Sequence, residues 1–218
     1  MTSGTSRGSG YHDVHLREHP AREGVWQAIA SHLAPWIPQS AHVVEIGAGH
    51  CHWINAVRAS ERLAIDLWED LPRHAATGVQ TRILDAATGL RTLGEACFDV
   101  ALASNVLEHF EPDVAARIAG DVRDLLRPGG RFIIIQPNFR YAFRSYFDDY
   151  THRSVFTDVS LPNLLRAHGF TIEQVQKKFL PYSMRDLRST VPAWMVRAYL
   201  RSPIKPRAGQ MLVIARRG

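Results

Sequence analysis

The stretch Val43-Val44-Glu45-Ile46-Gly47-Ala48-Gly49-His50 decides how the rest of the chain is interpreted. Its apolar run predicts a buried β-strand. The glycines that follow predict a tight turn, which lets the backbone approach a ligand closely. The first N–H groups of the next helix would favour a carboxylate or a phosphate. The stretch therefore predicts a strand, a ligand-binding turn and a helix, although a G-x-G turn alone is a weak signal.

On both sides of this turn, short apolar runs alternate with helical patterns, as in βαβ units around a parallel sheet. Helices are predicted before Pro35 and at 52–59, 114–126, 161–167 and 193–200, and Arg127-Pro128-Gly129-Gly130 is predicted to stop the helix at 114–126. Strands are predicted at 41–46, 63–65, 79–84, 98–103, 131–135, 170–176 and 210–215. These elements predict an α/β fold with a Rossmann-like, doubly wound, seven-stranded sheet. The sheet is mostly parallel with an antiparallel last strand, and helices cover both faces.

Acidic side chains end three of the predicted strands. Glu45 lies at the end of the first predicted strand, Asp66 directly follows the second strand, and Asp85 directly follows the third strand. Ligands of such sheets bind outside the carboxyl ends of the strands. Asp66 is placed to bind ribose hydroxyls and Asp85 to accept from an adenine amino group, whereas a plain helix-capping role is the alternative for each acid. A dinucleotide fingerprint would need glycine where His52 stands, so the pattern favours a cationic nucleoside without phosphates over NAD.

The bulk composition is that of one globular domain. The chain has 218 residues and a formal charge of +5. We expect residues 1–10 to be disordered and 11–218 to form one domain, with a cofactor half at about 40–138 and a substrate-side insert with the last strands at about 139–218. Two cysteines and no apolar run of 18 residues indicate a cytoplasmic protein without membrane insertion.

Five segments together resemble the class I S-adenosylmethionine-dependent methyltransferases: VVEIGAGH at 43–50, AIDLWED at 64–70, LDA at 84–86, FDVALASNVLEHF at 98–110 and LLRPGGRFIIIQPN at 125–138. Downstream segments look like a bacterial subgroup that acts on small molecules. The resemblance implies S-adenosylmethionine as cofactor and S-adenosylhomocysteine as product. One departure is Cys51, which stands where the family's longer pattern has a third glycine.

The same resemblance assigns roles by position. Glu45 and the glycines would hold the methionine end of the cofactor, Asp66 the ribose and Asp85 the adenine. Leu67 and Trp68 would flank the adenine, unless they are ordinary core or surface residues. Asn105 would line the floor beside the sulfonium. The predicted cofactor-binding residues are Glu45, Gly47, Ala48, Gly49, Asp66, Leu67, Asp85, Ala86, Ser104 and Asn105.

The segment 146–153 mixes aromatic residues, acids and a histidine where class I enzymes insert substrate-binding elements. We hypothesise that His152 is a general base and that Asp148 or Asp149 orients it; a solvated surface turn is the alternative. His109 either faces the methyl group or packs beneath the sheet. No metal site is predicted, since His50-Cys51-His52 cannot easily close a tetrahedron. Tyr11, His12 and His15 form either a lid or a frayed terminus.

The leading functional hypothesis is methyl transfer to oxygen or nitrogen of a small acceptor, such as a sugar or a natural-product intermediate. A nucleic-acid methyltransferase is disfavoured as an alternative, because Ser104-Asn105-Val106-Leu107 stands where base-methylating enzymes carry N-P-P-Y or D-P-P-Y. A binder of S-adenosylmethionine that does not methylate is the other alternative. The late Arg-rich segment, from Arg185 to Arg217, is compatible with a homodimer surface or with a lid.

Overall fold

A seven-stranded sheet runs through the centre of the computed structural model, which describes residues 21–182 and 192–218. The order across the sheet is β3-β2-β1-β4-β5-β7-β6. β7 is antiparallel to both of its neighbours and the remaining pairs are parallel, as predicted. The strands are β1 (His42–Ile46), β2 (Glu61–Asp66), β3 (Gln80–Ile83), β4 (Phe98–Ser104), β5 (Leu126–Pro137), β6 (Phe170–Gln176) and β7 (Gln210–Arg217).

Helices lie on both faces of the sheet. Within the described residues, no helix is long and apolar enough to cross a membrane. The helices are α1 (Ala21–Leu33), α2 (His52–Ala56), α3 (Leu71–His74), α4 (Pro112–Leu125), α5 (Phe139–Ala142), α6 (Ser160–Ala167) and α7 (Ala193–Arg201), with 3₁₀ turns at Ala34–Trp36, Leu90–Leu93, Leu107–His109 and Tyr146–Asp148.

Two apolar cores form because successive strand side chains point to opposite faces. Val43 packs on the face that also buries Ile29 of α1 and Trp53 of α2. Val44 packs on the other face, with Ile118 of α4 and Leu165 of α6. The continuous apolar strands therefore serve both cores, which explains why they show no polar alternation.

The helix that was predicted to stop before Arg127-Pro128-Gly129-Gly130 does so, since α4 ends at Leu125, whereas β5 begins at Leu126, earlier than the predicted 131. The four residues form an irregularity within the β4–β5 pairing, in which Phe98 pairs with Leu126 and Val100 with Arg131. The Arg127 guanidinium forms an ion pair with Asp99 beside this irregularity, with Nη1 2.7 Å from Oδ2. Glycine suits position 129 because its φ is +80°.

The strand order reverses between β1 and β4, which are neighbours in the sheet although two strands separate them in sequence. At this switch point the chain leaves β1 at Gly47 and leaves β4 at Asn105. The helices connected to the two strands turn to opposite faces there, and a crevice opens at the carboxyl edge. The fold thus brings the glycine turn and the residues after β4 to the same place.

Candidate active site

The glycine turn after β1 is built from left-handed backbone conformations. Gly47 has φ +69°, Gly49 has φ +49°, and Cys51 has φ +57° at the N-cap of α2. Cys51 thus adopts the conformation that a glycine at its position would adopt readily, so the departure from the glycine pattern leaves the turn intact. Its thiol is fully buried. Burial, together with the charges of Glu45 and Asp66, raises the pKa of Cys51 to about 12.

Glu45 is a buried carboxyl group beneath this turn. Its Oε2 accepts the backbone N–H of Ile54 in α2 at 3.0 Å. Burial raises the pKa of Glu45 well above its ordinary value, and the nearby charge of Asp66 raises it further. Two carboxyl groups close together in a dry site favour a ligand that carries positive charge.

Asp66 at the end of β2 fixes the turn from the other side. Its Oδ2 accepts the N–H of Gly49 at 2.8 Å and its Oδ1 accepts the N–H of Trp68 at 3.0 Å. A carboxylate accepts hydrogen bonds on both oxygens, and these two backbone contacts fix its orientation at the end of β2.

Three rings form an aromatic cluster: Trp68 after β2, His74 at the end of α3 and His50 after β1. Trp68 stacks on His74, with ring centroids 4.7 Å apart and planes 21° apart. His50 meets both rings edge-on, at 5.0 Å from Trp68 and 4.6 Å from His74. Leu67, beside Trp68, is 49% exposed. Sequence reasoning missed His50 and His74 as partners of Trp68, because only the fold brings the three rings together.

Asp85 and Ala86 follow β3 and are half-buried. The Asp85 Oδ1 accepts the N–H of Ala87 at 2.8 Å, and its carbonyl accepts the N–H of Gly89 at 2.7 Å. The side chain therefore caps its own turn, which was the alternative considered for this acid. One cap leaves the second oxygen of Asp85 with acceptor capacity.

Ser104 and Asn105 end β4. Asn105 is exposed and has φ +53°, a conformation that asparagine tolerates better than most residues. Its Oδ1 accepts from Nε2 of Gln210 at 3.2 Å, and its Nδ2 lies 3.3 Å from the Ser104 hydroxyl. Gln210 opens β7, and its sequence position alone gives no sign that it reaches this site.

Five polar side chains meet where the segment after β4 contacts the segment at 149–152. We call Glu108, His109, Asp149, Thr151 and His152 the acceptor cluster. The Asp149 Oδ1 accepts the Thr151 hydroxyl at 2.5 Å, and Thr151 Oγ1 lies 2.9 Å from Nδ1 of His109. The His109 and His152 rings are 5.0 Å apart. Asp149 is buried whereas Asp148 is exposed. The Asp149 side chain contacts Thr151, and the Nδ1 of His152 lies against the carbonyl oxygen of Tyr146, so the orientation of His152 by one of the two acids stays a prediction.

Sequence reasoning selected neither Thr151 nor Glu108 of this cluster, and Glu108 is the more unusual of the two. It is fully buried, and among the described residues neither carboxylate oxygen has a hydrogen-bond partner. Burial raises the pKa of Glu108 to about 8, and the charge of Asp149 contributes. A buried acid without hydrogen-bond partners is costly, which is characteristic of functional sites.

A family model described as a methyltransferase domain matches residues 17–175 of the chain. The chain belongs to this methyltransferase family. Its activity is S-adenosylmethionine-dependent methyl transfer, as the resemblance of the five segments implied. Among the curated proteins, no sequence matches this methyltransferase.

Solved structures share the fold of this methyltransferase. An S-adenosylmethionine-dependent methyltransferase from Archaeoglobus fulgidus has a TM-score of 0.68 at 17% identity, with 89% of this chain and 94% of that chain covered. A possible histamine N-methyltransferase from Thermotoga maritima has a TM-score of 0.70 at 15% identity, with coverage of 96% and 97%.

A third structure was obtained with ligands. It is the 1,6-didemethyltoxoflavin-N1-methyltransferase of Burkholderia thailandensis, with bound 1,6-didemethyltoxoflavin and S-adenosylhomocysteine, at a TM-score of 0.59, 24% identity and coverage of 96% and 84%. At these identities the likeness to all three structures concerns the fold.

The predicted cofactor residues of this methyltransferase lie along the carboxyl edge of β1 to β4, each at or just after a strand end. The possible lid residues Tyr11, His12 and His15, and Arg185 at the start of the Arg-rich segment, lie outside the described residues. The domain boundaries and the homodimer remain predictions.

Proposed function

We propose that this methyltransferase transfers the methyl group of S-adenosylmethionine to an oxygen or a nitrogen of a small polar acceptor. The observation that carries the proposal is the acceptor cluster, in which Glu108 and His109 from the segment after β4 meet Thr151 and His152 from the segment after α5. Its histidines and acids are suited to binding and deprotonating a hydroxyl or amine. The activity named for the Burkholderia relative, methylation of a small heterocycle at nitrogen, is of this kind.

The cofactor would lie across the ends of β1 to β4. Glu45 and the backbone of Gly47, Ala48 and Gly49 would hold the methionine end, since the cofactor ammonium and sulfonium offset the repulsion between Glu45 and Asp66. Asp66 would bind the ribose hydroxyls through its carboxylate, which its two backbone hydrogen bonds orient.

The adenine would lie between the turn after β2 and the turn after β3. Leu67 supports this placement, because its exposed side chain offers an apolar surface beside Trp68. Asp85 and Ala86 would face the adenine edge. Ser104 and Asn105 would then floor the sulfonium, a few residues before Glu108 and His109 of the acceptor cluster.

In this proposal His152 would act as the base. Its Nδ1 lies 2.6 Å from the carbonyl oxygen of Tyr146, which can only accept a hydrogen bond. Nδ1 therefore carries the proton in the neutral ring, and Nε2 carries the lone pair. Orientation of the two substrates supplies effective molarities of roughly 10⁵ M or more, and a general base adds about 10²–10⁴-fold.

Exposed aromatic side chains flank the acceptor cluster. Phe143, Phe147 and Tyr150 are 55%, 60% and 77% exposed. Exposed apolar patches on a protein surface often mark a binding site. The three side chains support an acceptor with an apolar face beside its reactive polar group. A natural-product intermediate has this character, and among the acceptor classes implied by the resemblance it fits better than a bare sugar.

The test begins with binding and proceeds to turnover. Calorimetric titration with S-adenosylmethionine and S-adenosylhomocysteine should show binding of both, and Asp66→Asn should abolish it. A panel of small phenols, amines and glycosides is then assayed for release of S-adenosylhomocysteine.

The role of His152 needs a matched control. His152→Gln should lower kcat about 10²–10⁴-fold at an unchanged cofactor Kd, and His168→Gln, at the opposite edge of the sheet, should change neither quantity. Full turnover by His152→Gln at saturating acceptor would exclude the base. Methylation of RNA or DNA alone would overturn the small-molecule proposal.

A further inference from the structure

Three side chains that bind metal ions in other proteins meet in the acceptor cluster. Glu108, His109 and His152 each offer a ligand atom, and these atoms all lie within 4.8 Å of one another. Among the described residues, no other such group of histidine, cysteine, aspartate and glutamate side chains is formed.

The two segments that supply these side chains are fixed to each other by the backbone. The carbonyl oxygen of Glu108 accepts the N–H groups of Arg153 at 2.8 Å and Ser154 at 3.1 Å. The Ser154 hydroxyl donates to the carbonyl of Phe110 at 2.6 Å. The convergence is therefore built into the fold and does not depend on flexible surface side chains.

Both histidines are oriented as metal-binding histidines are. Metal ligands of this kind usually donate their other ring N–H to a carbonyl, a carboxylate or a similar acceptor. His152 Nδ1 donates to the Tyr146 carbonyl. Thr151 donates its only hydroxyl proton to Asp149, so its oxygen accepts from Nδ1 of His109. In both neutral rings the lone pair is thereby placed on Nε2.

Glu108 supplies an independent observation. Its carboxylate is fully buried, and neither oxygen finds a hydrogen-bond donor among the described residues. Buried polar atoms are nearly always satisfied in folded proteins. A cation between Glu108 and the two imidazoles would satisfy this carboxylate, and buried Asp149 adds negative charge nearby.

We propose that Glu108, His109 and His152 bind a divalent first-row transition ion such as Zn²⁺, and that this ion holds and activates the methyl acceptor. The inference rests on the proposed function. Two histidines and one glutamate are a known catalytic zinc set that leaves one coordination position for substrate. With bond lengths of about 2.0–2.2 Å, tetrahedral ligand atoms lie roughly 3.3–3.6 Å apart. Side-chain movements on the order of 1 Å would close the site.

The ion would act as a Lewis acid on the acceptor hydroxyl or amine. The acceptor proton leaves to solvent, and its oxygen or nitrogen forms a bond to the methyl carbon. The bond between that carbon and sulfur breaks, and its electron pair stays on sulfur to give S-adenosylhomocysteine. In this arrangement His152 is a ligand and does not take the proton, which separates the inference from the simple base mechanism.

The experiment uses the full chain without an affinity tag, made metal-free with a chelator. Co²⁺ is titrated in and followed by its visible absorption, and Zn²⁺ is then added as a competitor. We expect one Co²⁺ per chain with the intense bands of a site with few ligands, displaced by Zn²⁺. Glu108→Gln is nearly isosteric, and circular dichroism checks its fold.

The Co²⁺ affinities of three variants are compared with that of the wild type. Glu108→Gln should weaken Co²⁺ binding by more than about 100-fold, since loss of a second-shell contact alone typically costs about 10–100-fold. Thr151→Val removes the acceptor that orients His109 and should fall within that smaller range. His168→Gln should bind as the wild type does. Equal Co²⁺ affinity in wild type and Glu108→Gln, or no stoichiometric binding, would overturn the inference.

Failure of the inference can be separated from failure of the proposed function. If metal-free enzyme in chelator methylates a small acceptor at full rate, the ion inference fails and the function stands. If Co²⁺ binds as described but no small acceptor is methylated, the metal site stands and the proposed acceptor class fails.

Discussion

Replacing Gly47 by alanine should destabilise the protein for two reasons that can be measured separately. Gly47 has φ +69°, and a Cβ added there would lie 2.6 Å from Cγ2 of Val106. The left-handed backbone costs an L-residue about 1–2 kcal/mol, and overpacking costs about 1–3 kcal/mol. The free energy of unfolding should therefore fall by roughly 2–5 kcal/mol. At about 2 °C per kcal/mol for a chain of this size, Tm falls by about 4–10 °C.

Gly129→Ala is the matched control. Gly129 has φ +80°, but an added Cβ would meet no atom within 4 Å. This variant should therefore lose only the backbone contribution, about 1–2 kcal/mol. Both variants reduce the entropy of the unfolded chain equally, so that effect cancels in the comparison.

Urea denaturation of the two variants, together with Val106→Ala and the Gly47→Ala/Val106→Ala double variant, completes the assay. A double-mutant cycle should return a favourable coupling of about 1–3 kcal/mol, the relieved overlap. Equal losses for Gly47→Ala and Gly129→Ala, with zero coupling, would refute the contact between the glycine turn and Val106.

Three further predictions concern the titratable groups of the site. The native protein should expose one reactive thiol to an alkylating reagent at neutral pH and two in denaturant, because burial raises the pKa of Cys51 to about 12 whereas Cys97 is only half-buried. Mass spectrometry of the labelled peptides measures which cysteine reacts. Rapid labelling of Cys51 in the native protein would contradict the prediction. Burial raises the pKa of Glu45, so the unfolded state releases its proton first and the wild type loses stability as pH rises above about 4.5. Glu45→Gln, which keeps an acceptor for Ile54, should lack this loss and unfold at higher temperature than the apo wild type at pH 7, and parallel Tm profiles would be the contrary outcome. Asp66→Asn would place an N–H₂ group against one of the two backbone N–H groups that the carboxylate now accepts, so Tm should fall. The variant should also lose cofactor binding. An unchanged affinity for S-adenosylmethionine in calorimetry would argue against Asp66 as a cofactor ligand.

The strand–turn–helix unit at the cofactor site could be predicted because its determinants are local. Apolar runs, glycines and acids at strand ends are adjacent in sequence, and their spacing fixes which edge of the sheet they reach. Glu45, Gly47 and Asp66 consequently lie where the pattern placed them. The structure also confirms the predicted sheet, which is mostly parallel with an antiparallel β7.

Where prediction went wrong or fell short, long-range packing was decisive. The residues from Arg127 to Gly130 stop the helix as the pattern predicts, but the pattern did not indicate that the fifth strand already begins at Leu126, which pairs with Phe98 of β4. Cys51 looked like a departure from the glycine pattern, yet its left-handed conformation preserves the turn. Asp85 could be read as an adenine ligand or as a cap, and only the structure shows the cap.

The sequence by itself determined the fold class and the family of this methyltransferase, because those depend on short-range periodicity and on motifs whose residues lie close together along the chain. Only the tertiary structure decided that Glu108, His109 and His152 meet, and that Asp149 and Thr151 orient one of the rings. These side chains come from two segments that no local pattern connects. Their contact is set by the backbone hydrogen bonds from Arg153 and Ser154 to the carbonyl of Glu108 and by the bond from the Ser154 hydroxyl to the carbonyl of Phe110. These bonds form only when the sheet and its loops are assembled.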